Sequence, residues 1–306
     1  MNNQVLLTGA SGFLGRHLIQ SWPAELITTL GTTELPGFKH IQVDLQKPFQ
    51  LDNSYQAVVH AAGKAHTVPA NVEAQSKFYQ VNVEGTRNLL QALERSDQKP
   101  QYFVFISSVS VYGLSVGKAI TEEAPLLAED AYGVSKIEAE KMISKWCDHN
   151  QVLLTILRLP LVCGIDPPGN LLKMIQAVRT GRWVHIKQGA ARRSMVLASD
   201  VAQIIPAAMQ KGGTYNLTDG QHPSYGELYK VMARFFNKGK ARNMPWAVAK
   251  LVGKLGDIWG PQAPFNSKTL EKLSQSLTFS DEQARVHLSW DPRPVLENFD
   301  TILLVE

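Results

Sequence analysis

The chain has 306 residues, of which 44% are hydrophobic and 19% charged, and its formal net charge is +4. This length allows one large domain or two unequal ones, and the composition excludes a disordered chain, a collagen and a disulfide-rich mini-protein. Because the basic residues form no run that would track a phosphate backbone, we expect no nucleic-acid partner.

The cysteines and the first residues of the chain indicate the cellular compartment of the protein. Cys147 and Cys163 lie in no CxxC or Cys/His pattern, and the histidines show no ligand spacing, so we expect a reducing compartment and no metal. The chain opens on MNNQVLLTGASG, without a basic-then-apolar leader, and it contains no apolar run of the roughly 18 residues that a membrane span needs. We therefore expect a cytoplasmic protein that does not cross a membrane.

The first half of the chain alternates short apolar runs with helical patterns. Strands without polar alternation are buried on both faces, and strand–helix alternation indicates a parallel sheet. The pattern predicts an α/β fold with a doubly wound, Rossmann-type sheet over residues 1–160. The predicted strands are 4–8, 26–30, 41–43, 57–60, 102–106 and 153–157, and the predicted helices are 13–22, 73–95 and 132–149.

Strand signals become sparse beyond residue 160. Helical patterns at 170–180, 199–210 and 224–237 predict a smaller, mostly helical substrate lobe over 161–306, with some segments returning to the main sheet. The segment 243–260 (NMPWAVAKLVGKLGDIWG) predicts a weakly basic amphipathic helix. Packing within the lobe is the interpretation we favour for it, and a membrane-surface helix or a cap on the substrate pocket are the alternatives.

A glycine loop follows the first predicted strand. Glycines at every third position let the backbone approach a pyrophosphate, and the helix that follows offers free N–H groups and a partial positive charge. The loop therefore predicts a dinucleotide cofactor, held by Gly9, Ser11, Gly12, Phe13, Leu14, Gly15 and Arg16.

The end of the second predicted strand informs the choice of cofactor. The sequence there, Thr29-Leu30-Gly31-Thr32-Thr33, lacks the carboxylate that binds the ribose 2′-hydroxyl of NAD. Arg16 is either a partner for the 2′-phosphate of NADP or an ordinary residue of the helix surface. NADP is thus slightly favoured over NAD.

Tyr132 and Lys136 are four residues apart on a predicted helix, which places them on one face. An adjacent ammonium lowers the pKa of a phenol below its usual ~10 and makes tyrosine a usable proton-transfer group. The helix follows the fifth predicted strand, whose carboxyl end is where open α/β sheets bind substrates. A third catalytic group is expected there, within residues 105–113.

These motifs resemble the extended short-chain dehydrogenase/reductase superfamily, and within it the NAD-dependent epimerase/dehydratase family that modifies nucleotide sugars. The glycine spacing after Thr8, the segment 107–113 (SSVSVYG) and the Tyr132–Lys136 pair carry the resemblance, together with 82–86 (NVEGT). It implies that Ser108 hydrogen-bonds the reacting sugar oxygen and completes a triad with Tyr132 and Lys136.

The resemblance also assigns binding residues. It implies that Asp44 contacts the adenine amine, although a turn residue is the alternative there. Arg192 is an alternative to Arg193 as the partner of the substrate diphosphate. Implied cofactor contacts are Asp44, Leu45, His60, Ala61, Ala62, Gly63, Asn82, Ser107, Tyr132 and Lys136, and implied substrate contacts are Ser108, Ser110, Asn170 and Arg193.

The residues after Ser108 narrow the expected reaction. Dehydratases of this family carry Asp-Glu where this chain has Val109 and Ser110, so we do not expect a 4,6-dehydratase. The favoured expectation is a 4-keto reductase of a nucleoside diphosphate (NDP)-4-keto-6-deoxy-(N-acetyl)hexosamine, in the synthesis of surface-polysaccharide precursors. An NAD-dependent 4-epimerase of a UDP-hexose or N-acetylhexosamine is the alternative. A regulatory NADPH-binding protein without turnover is less favoured, because Tyr132 and Lys136 are both present.

The resemblance further implies a UDP-linked substrate and a homodimer formed through the helix at 132–149.

Overall fold

The computed structural model describes residues 4–65, 72–259, 263 and 265–303. Parallel pairing dominates this part of the chain, and its strands are short. In chain order they are Val5–Thr8 (β1), Ile27–Gly31 (β2), Lys39–Gln42 (β3), Ala57–His60 (β4), Tyr102–Ser108 (β5), Gly117–Ile120 (β6), Leu153–Leu159 (β7), Leu161–Cys163 (β8), Val184–Ile186 (β9), Met195–Leu197 (β10), Gly213–Asn216 (β11), Arg242–Met244 (β12) and Leu277–Phe279 (β13).

The helices connect and flank these strands. They are Phe13–Ser21 (α1), Val72–Tyr79 (α2), Gly85–Arg95 (α3), Ala131–Asn150 (α4), Gly169–Arg179 (α5), Ala198–Met209 (α6), Tyr225–Phe235 (α7), Trp246–Ile258 (α8), Ser267–Ser274 (α9), Glu282–Leu288 (α10) and Phe299–Leu303 (α11). Among the described residues, no helix is long and apolar enough to cross a bilayer.

A seven-stranded sheet in the order β11-β7-β5-β4-β1-β2-β3 forms the centre of the molecule, and its neighbouring strands pair in parallel. The strand order reverses at β1, which lies between β2 and β4. In such sheets ligands bind beyond the carboxyl ends of the strands at the reversal. The predicted doubly wound, Rossmann-type α/β fold is therefore confirmed.

Alternating side chains of the strands bury both faces of the sheet. Leu6 and Phe103 belong to the core on the side of α3 and α4, while Leu7 and Val104 belong to the core on the side of α1 and α6. This two-sided burial explains why the strands read as continuous apolar runs.

The C-terminal half contributes to the same sheet. Strand β11 pairs with β7 from Gly213↔Thr155 to Asn216↔Arg158, and α6 packs against α1. A separate core lies among α5, α7 and α11, with buried residues that include Met232 and Phe299. The division into domains at residue 160 stays a prediction.

Two elements differ from the sequence prediction in ways that position the site. The helix expected over 73–95 is interrupted by a π-helical turn at Gln80–Glu84, between α2 and α3. Strand β5 continues to Ser108, two residues beyond the predicted end, and so carries both serines at its carboxyl end.

Candidate active site

The glycine loop between β1 and α1 is built without room for side chains. Gly9 has a φ of +75°, and a Cβ there would lie 2.5 Å from the backbone nitrogen of Ala62. A Cβ at Gly15 would overlap the carbonyl oxygen of Gly9. Glycine is therefore required at both positions by the close approach of β1, α1 and the chain after β4.

The N-terminus of α1 faces outward from this loop. Gly12 is its N-cap residue and offers no side-chain cap, and Phe13 and Leu14 form its first turn. Ser11 is exposed, and its carbonyl oxygen accepts a 3.2 Å hydrogen bond from Nη1 of the exposed Arg16. The loop thus presents helix N–H groups and a guanidinium, which fit the diphosphate of a dinucleotide.

Asp44 and Leu45 follow β3. The Asp44 carboxylate accepts a 3.0 Å hydrogen bond from the backbone nitrogen of Gln46 and so closes a turn. Leu45 packs against the core beside α3, and its carbonyl accepts from Nδ2 of Asn88 at 2.8 Å. The turn role that the sequence left open for Asp44 is present, and its contact with adenine stays a prediction.

His60, at the end of β4, links β1 to α3. The Thr8 hydroxyl lies 2.7 Å from Nδ1 and accepts from the Ala62 backbone nitrogen, so it is free to donate to the ring. The Thr86 hydroxyl lies 2.9 Å from Nε2 and donates to the Asn82 carbonyl, so it accepts from the ring. These partners assign a neutral imidazole with its proton on Nε2. Burial, reinforced by Lys136, lowers the pKa of His60 to about 3.

The chain after β4 runs beside α4. Ala61 donates from its backbone nitrogen to the Thr8 carbonyl at 3.3 Å. A Cβ at Gly63 would lie 3.2 Å from both the Asn82 side-chain oxygen and the Lys136 ammonium. Residues 61–63 therefore pass directly over the groups expected to contact the cofactor.

Asn82 lies in the π-helical turn and is buried. Its oxygen accepts from the Lys64 backbone nitrogen at 2.7 Å, and its Nδ2 donates to the Ser135 hydroxyl at 2.8 Å. The Ser135 hydroxyl in turn donates to the Tyr132 carbonyl at 2.7 Å. The irregular turn thus positions an amide that ties the chain after β4 to the first turn of α4.

Ser108, Ser110 and Tyr132 come together at the carboxyl end of β5. The Ser108 hydroxyl accepts from the backbone nitrogen of Ser110 and donates to its hydroxyl, both at 3.1 Å. A side-chain hydrogen bond with Ser108 also lowers the pKa of Tyr132. Asp130 caps α4 through the backbone nitrogens of Tyr132 and Gly133, which fixes the start of the helix.

The electrostatics of this cluster differ from expectation. Burial raises the pKa of Tyr132 to about 12, and the hydrogen bond with Ser108 offsets this only in part. The Lys136 ammonium donates to the Ile106 carbonyl at 2.9 Å and lies 4.6 Å from the centre of the Phe105 ring. In the protein alone burial therefore sets the pKa of Tyr132, and the expected lowering by Lys136 is not found.

Lys136 is itself perturbed. Burial lowers the pKa of its ammonium to about 8, and the negative charge of Glu140 one turn later opposes that shift. Near neutral pH the group is still mainly charged, within a largely dry environment. It is a strong hydrogen-bond donor placed beside the path expected for the cofactor.

The Ser107 hydroxyl belongs to a buried network, and its contact with the cofactor stays a prediction. Its hydroxyl donates to Glu140, which forms a bidentate ion pair with Arg158 at 3.1 and 2.8 Å. Nη1 of Arg158 donates to the Tyr112 hydroxyl at 3.1 Å, and that hydroxyl donates to Asn216 at 2.8 Å. The network ties α4, β5, β7 and β11 together beside the candidate catalytic residues.

The predicted substrate residues of the C-terminal half lie apart from this cluster in the chain. Asn170 is exposed in the first turn of α5. The Arg193 guanidinium donates to the carbonyls of Arg192, Gln275 and Lys272 at the end of α9. Arg192 pairs with Glu227 at 3.3 Å. The roles of Asn170, Arg193 and Ser110 toward a substrate stay predictions.

Five further residues support the site although their sequence context indicated no individual role for them: Thr8, Thr86, Ser135, Glu140 and Arg158. The two threonines lie inside motifs that had been recognised, so their positions were a signal. Nothing in the sequence signalled the ion pair, since Glu140 and Arg158 belong to different elements and meet only when α4 packs on β5 and β7.

The fold and the site define the class of protein. The family model described as "NAD dependent epimerase/dehydratase family" matches residues 5–218, and the chain belongs to that family. It is accordingly an enzyme of the NAD-dependent epimerase/dehydratase type.

Individual relatives share limited sequence identity with this chain. The chain is 28% identical over 94% of its length to the N-acetyl-alpha-D-glucosaminyl-diphospho-ditrans,octacis-undecaprenol 4-epimerase of Escherichia coli O157:H7, and the match covers 90% of that protein. It is 27% identical over 76% of its length to the GDP-6-deoxy-D-mannose reductase of Pseudomonas aeruginosa, covering 80% of it. The UDP-glucose 4-epimerase of Thermus thermophilus, solved in complex with NAD, shares the fold with a TM-score of 0.75 and 21% identity, over 98% of this chain and 97% of that one.

Proposed function

We propose that the enzyme transfers a hydride at C4 of a hexose carried on a diphosphate, with Tyr132 as the proton-transfer group. The observation that carries this proposal is the cluster at the carboxyl end of β5. There Ser108 and Tyr132 share a hydrogen bond, and Lys136 lies buried one turn along α4. Such a cluster offers a proton donor, a hydrogen-bond partner for a sugar oxygen and a cation.

Bound NAD or NADP supplies or accepts the hydride. For that group the chain provides the glycine loop and the N-terminus of α1 toward the diphosphate, and Asp44 toward the adenine. The strand ends at His60 and Ser107 face the same edge of the sheet. Lys136 and Asn82 are the proposed partners of the nicotinamide ribose.

Tyr132 is proposed to donate its proton from the neutral form of the phenol. With a pKa of about 12 the phenol keeps its proton near neutral pH. In the reducing direction the C4 carbonyl carbon receives the hydride and its oxygen receives the phenolic proton, so the C=O bond becomes CH–OH. Ser108 holds that oxygen in place by a hydrogen bond, and water restores the proton of Tyr132.

The end of β2 favours reduction by NADPH. The residues Gly31 to Thr33 carry no negative charge to repel a 2′-phosphate, and Arg16 lies at the glycine loop. An exchangeable NADPH suits a reductase that consumes one cofactor in each turnover. We therefore propose an NDP-4-keto-6-deoxy-(N-acetyl)hexosamine as substrate, which agrees with the relative named as a GDP-6-deoxy-D-mannose reductase.

A 4-epimerase is the second candidate. Its support is the relative that matches most of this chain and is named as a 4-epimerase of a diphospho-undecaprenol sugar. An epimerase uses the same Tyr132 in both directions and returns the hydride to the opposite face of the keto sugar. Dehydration is not proposed, because Val109 and the Ser110 hydroxyl lack the carboxyl groups that water loss at this place requires.

Two incubations of the purified protein separate the candidates. The reductase predicts loss of nicotinamide absorbance when NADPH and a UDP-4-keto-6-deoxy-N-acetylhexosamine are both present. The epimerase predicts interconversion of UDP-GlcNAc and UDP-GalNAc without consumption of cofactor. Interconversion together with stable NADPH would overturn the reductase proposal. A protein that binds NADPH and converts neither sugar would support the regulatory alternative.

A further inference from the structure

We propose that the outer face of α8 docks the enzyme on the surface of an anionic lipid bilayer, without crossing it. We define the α8 face as Val248, Leu251, Val252, Leu255, Ile258 and the adjoining Trp259. The proposal concerns where the enzyme works and does not depend on which sugar it converts.

The α8 face is an uninterrupted apolar stripe. Its positions follow the i, i+3, i+4, i+7 spacing that gathers side chains on one side of a helix. Leu251 is 60% exposed, Leu255 54%, Ile258 79% and Trp259 82%. Isolated exposed apolar side chains are ordinary, but a contiguous group of this kind marks an interaction surface.

Packing within the C-terminal half uses the other side of the helix. Ala249, Gly253 and Gly256 are the buried residues of α8. A Cβ at Gly256 would overlap the carbonyl oxygen of Phe265, and Gly253 faces the backbone of Ser267. Small residues thus let α8 pack closely on α9, while its large apolar residues point outward. An ordinary surface helix buries its large apolar residues, whereas α8 exposes them. Packing within the protein therefore explains the small residues of α8 and leaves its large apolar residues without a partner among the described residues.

The charge around the α8 face selects an anionic partner. Residues 238–259 contain five basic side chains, Lys238, Lys240, Arg242, Lys250 and Lys254, and all five are exposed. The acidic residue in the same range, Asp257, accepts hydrogen bonds from the backbone and hydroxyl of Ser267. Each basic side chain near an anionic leaflet strengthens binding about fivefold.

Trp246 and Trp259 mark the two ends of α8. Lys187 and Lys250 lie over the Trp246 ring at 4.5 and 5.3 Å, so that aromatic end carries two cations. Aromatic rings beside lysines are typical of the bilayer interface, where the ring enters the headgroup layer and the ammonium meets phosphate. The apolar stripe, its basic flank and Trp259 at its end together describe an interfacial amphipathic helix.

The test is co-sedimentation of the full-length enzyme with phosphatidylcholine vesicles, with and without phosphatidylglycerol. We expect binding to the anionic vesicles, weakened by salt, with a blue shift of tryptophan emission that Trp259→Phe diminishes. Leu251→Asp combined with Leu255→Asp should reduce binding at least tenfold. Lys250→Gln should reduce it about fivefold, the factor that corresponds to about 1 kcal/mol.

Val286→Asp is the matched control, because Val286 is 71% exposed on α10 and outside the α8 face. It should bind vesicles as the wild type does. Light scattering of the same samples monitors association between copies. Equal vesicle binding by the wild type and the α8 double variant would overturn the proposal. So would a wild-type dimer that the double variant converts to a monomer without any effect on vesicle binding.

Discussion

The ammonium nitrogen of Lys136 lies 2.9 Å from the carbonyl oxygen of Ile106, two residues before Ser108 on the same strand. This contact holds a buried cation against the strand that carries Ser108. Burying the lysine costs folding free energy, and the group keeps its charge near neutral pH beside the predicted path of the cofactor.

Replacing Lys136 by Met should change how stability depends on pH. The pKa of Lys136 is lowered from 10.5 to about 8 in the folded protein, so between those values the unfolded chain binds a proton that the folded one has lost. The contribution of this group to stability therefore rises with pH across that window. The wild type should gain about 2–3 kcal/mol of unfolding free energy relative to Lys136→Met between pH 7 and 10.

Urea unfolding at the two pH values measures this gain. Lys141→Met, at an exposed position of the same helix, serves as the control and should track the wild type. An unfolding free-energy difference between wild type and Lys136→Met that stays constant with pH would show that the lysine titrates normally.

His60 should dominate the loss of stability in mild acid. Its pKa is lowered from 6.5 to about 3, so the protein loses stability as the pH falls from 6.5 toward 3, where only the unfolded chain binds the proton readily. At pH 5 this amounts to about 2 kcal/mol. His60→Gln should flatten the acid limb of a urea-unfolding series, whereas the exposed His149→Gln should leave it unchanged. Equal limbs in all three proteins would contradict the assignment of a neutral His60.

The buried pair of Glu140 and Arg158 should show strong coupling. Their side chains are 5% and 8% exposed, so removing one partner leaves a buried charge without its counterion. We expect Arg158→Met to cost about 3–5 kcal/mol of unfolding free energy, and the double change Arg158→Met with Glu140→Leu to cost less than the sum of the two single changes. Additive costs in a double-mutant cycle would show that the two residues act independently.

Cofactor preference should respond to charge at the end of β2. Thr32→Asp places a carboxylate where it accepts a hydrogen bond from a ribose 2′-hydroxyl and repels a 2′-phosphate. The ratio of affinities for NADPH and NADH, measured by nicotinamide fluorescence, should fall at least tenfold. Gln20→Asp, which adds the same charge at an exposed position of α1, should keep the wild-type ratio. An unchanged ratio in Thr32→Asp would place the adenosine ribose elsewhere.

Much of the sheet was predictable because its physics is local. Strands β1, β4, β5 and β7 of the main sheet are largely apolar runs, and the glycines of the loop are required by close contacts with neighbouring backbone. The end of β5 was less predictable: polar Ser107 and Ser108 read as a loop, yet both continue the pairing with β7 as far as Leu159. The break of the helix at Gln80–Glu84 also followed from tertiary contacts of Asn82, which no periodicity reports.

The helix and strand positions of the candidate site residues were predictable, and their electrostatics were less so. The spacing of Tyr132 and Lys136 correctly placed them on one helix. It did not reveal that Lys136 turns to the Ile106 carbonyl, because that choice depends on burial and on the Phe105 ring. The outward orientation of Leu251 and Leu255 was equally hidden, since a helical stripe alone does not tell which side packs.

Hydride transfer to C4 is tested most directly by following deuterium from labelled NADPH into the product, in the wild type, in Tyr132→Phe and in Tyr102→Phe. Tyr102 begins the same strand β5 at the edge opposite the site and serves as the matched control. With a UDP-4-keto-6-deoxy-N-acetylhexosamine, the wild type and Tyr102→Phe should place deuterium on C4 of the hexose. Tyr132→Phe should bind NADPH as tightly and slow this transfer by about 100-fold or more, the lower range for loss of a general acid. Transfer of deuterium at the wild-type rate in Tyr132→Phe would contradict the role of Tyr132 in proton transfer. Appearance of deuterium at another carbon would contradict hydride transfer to C4.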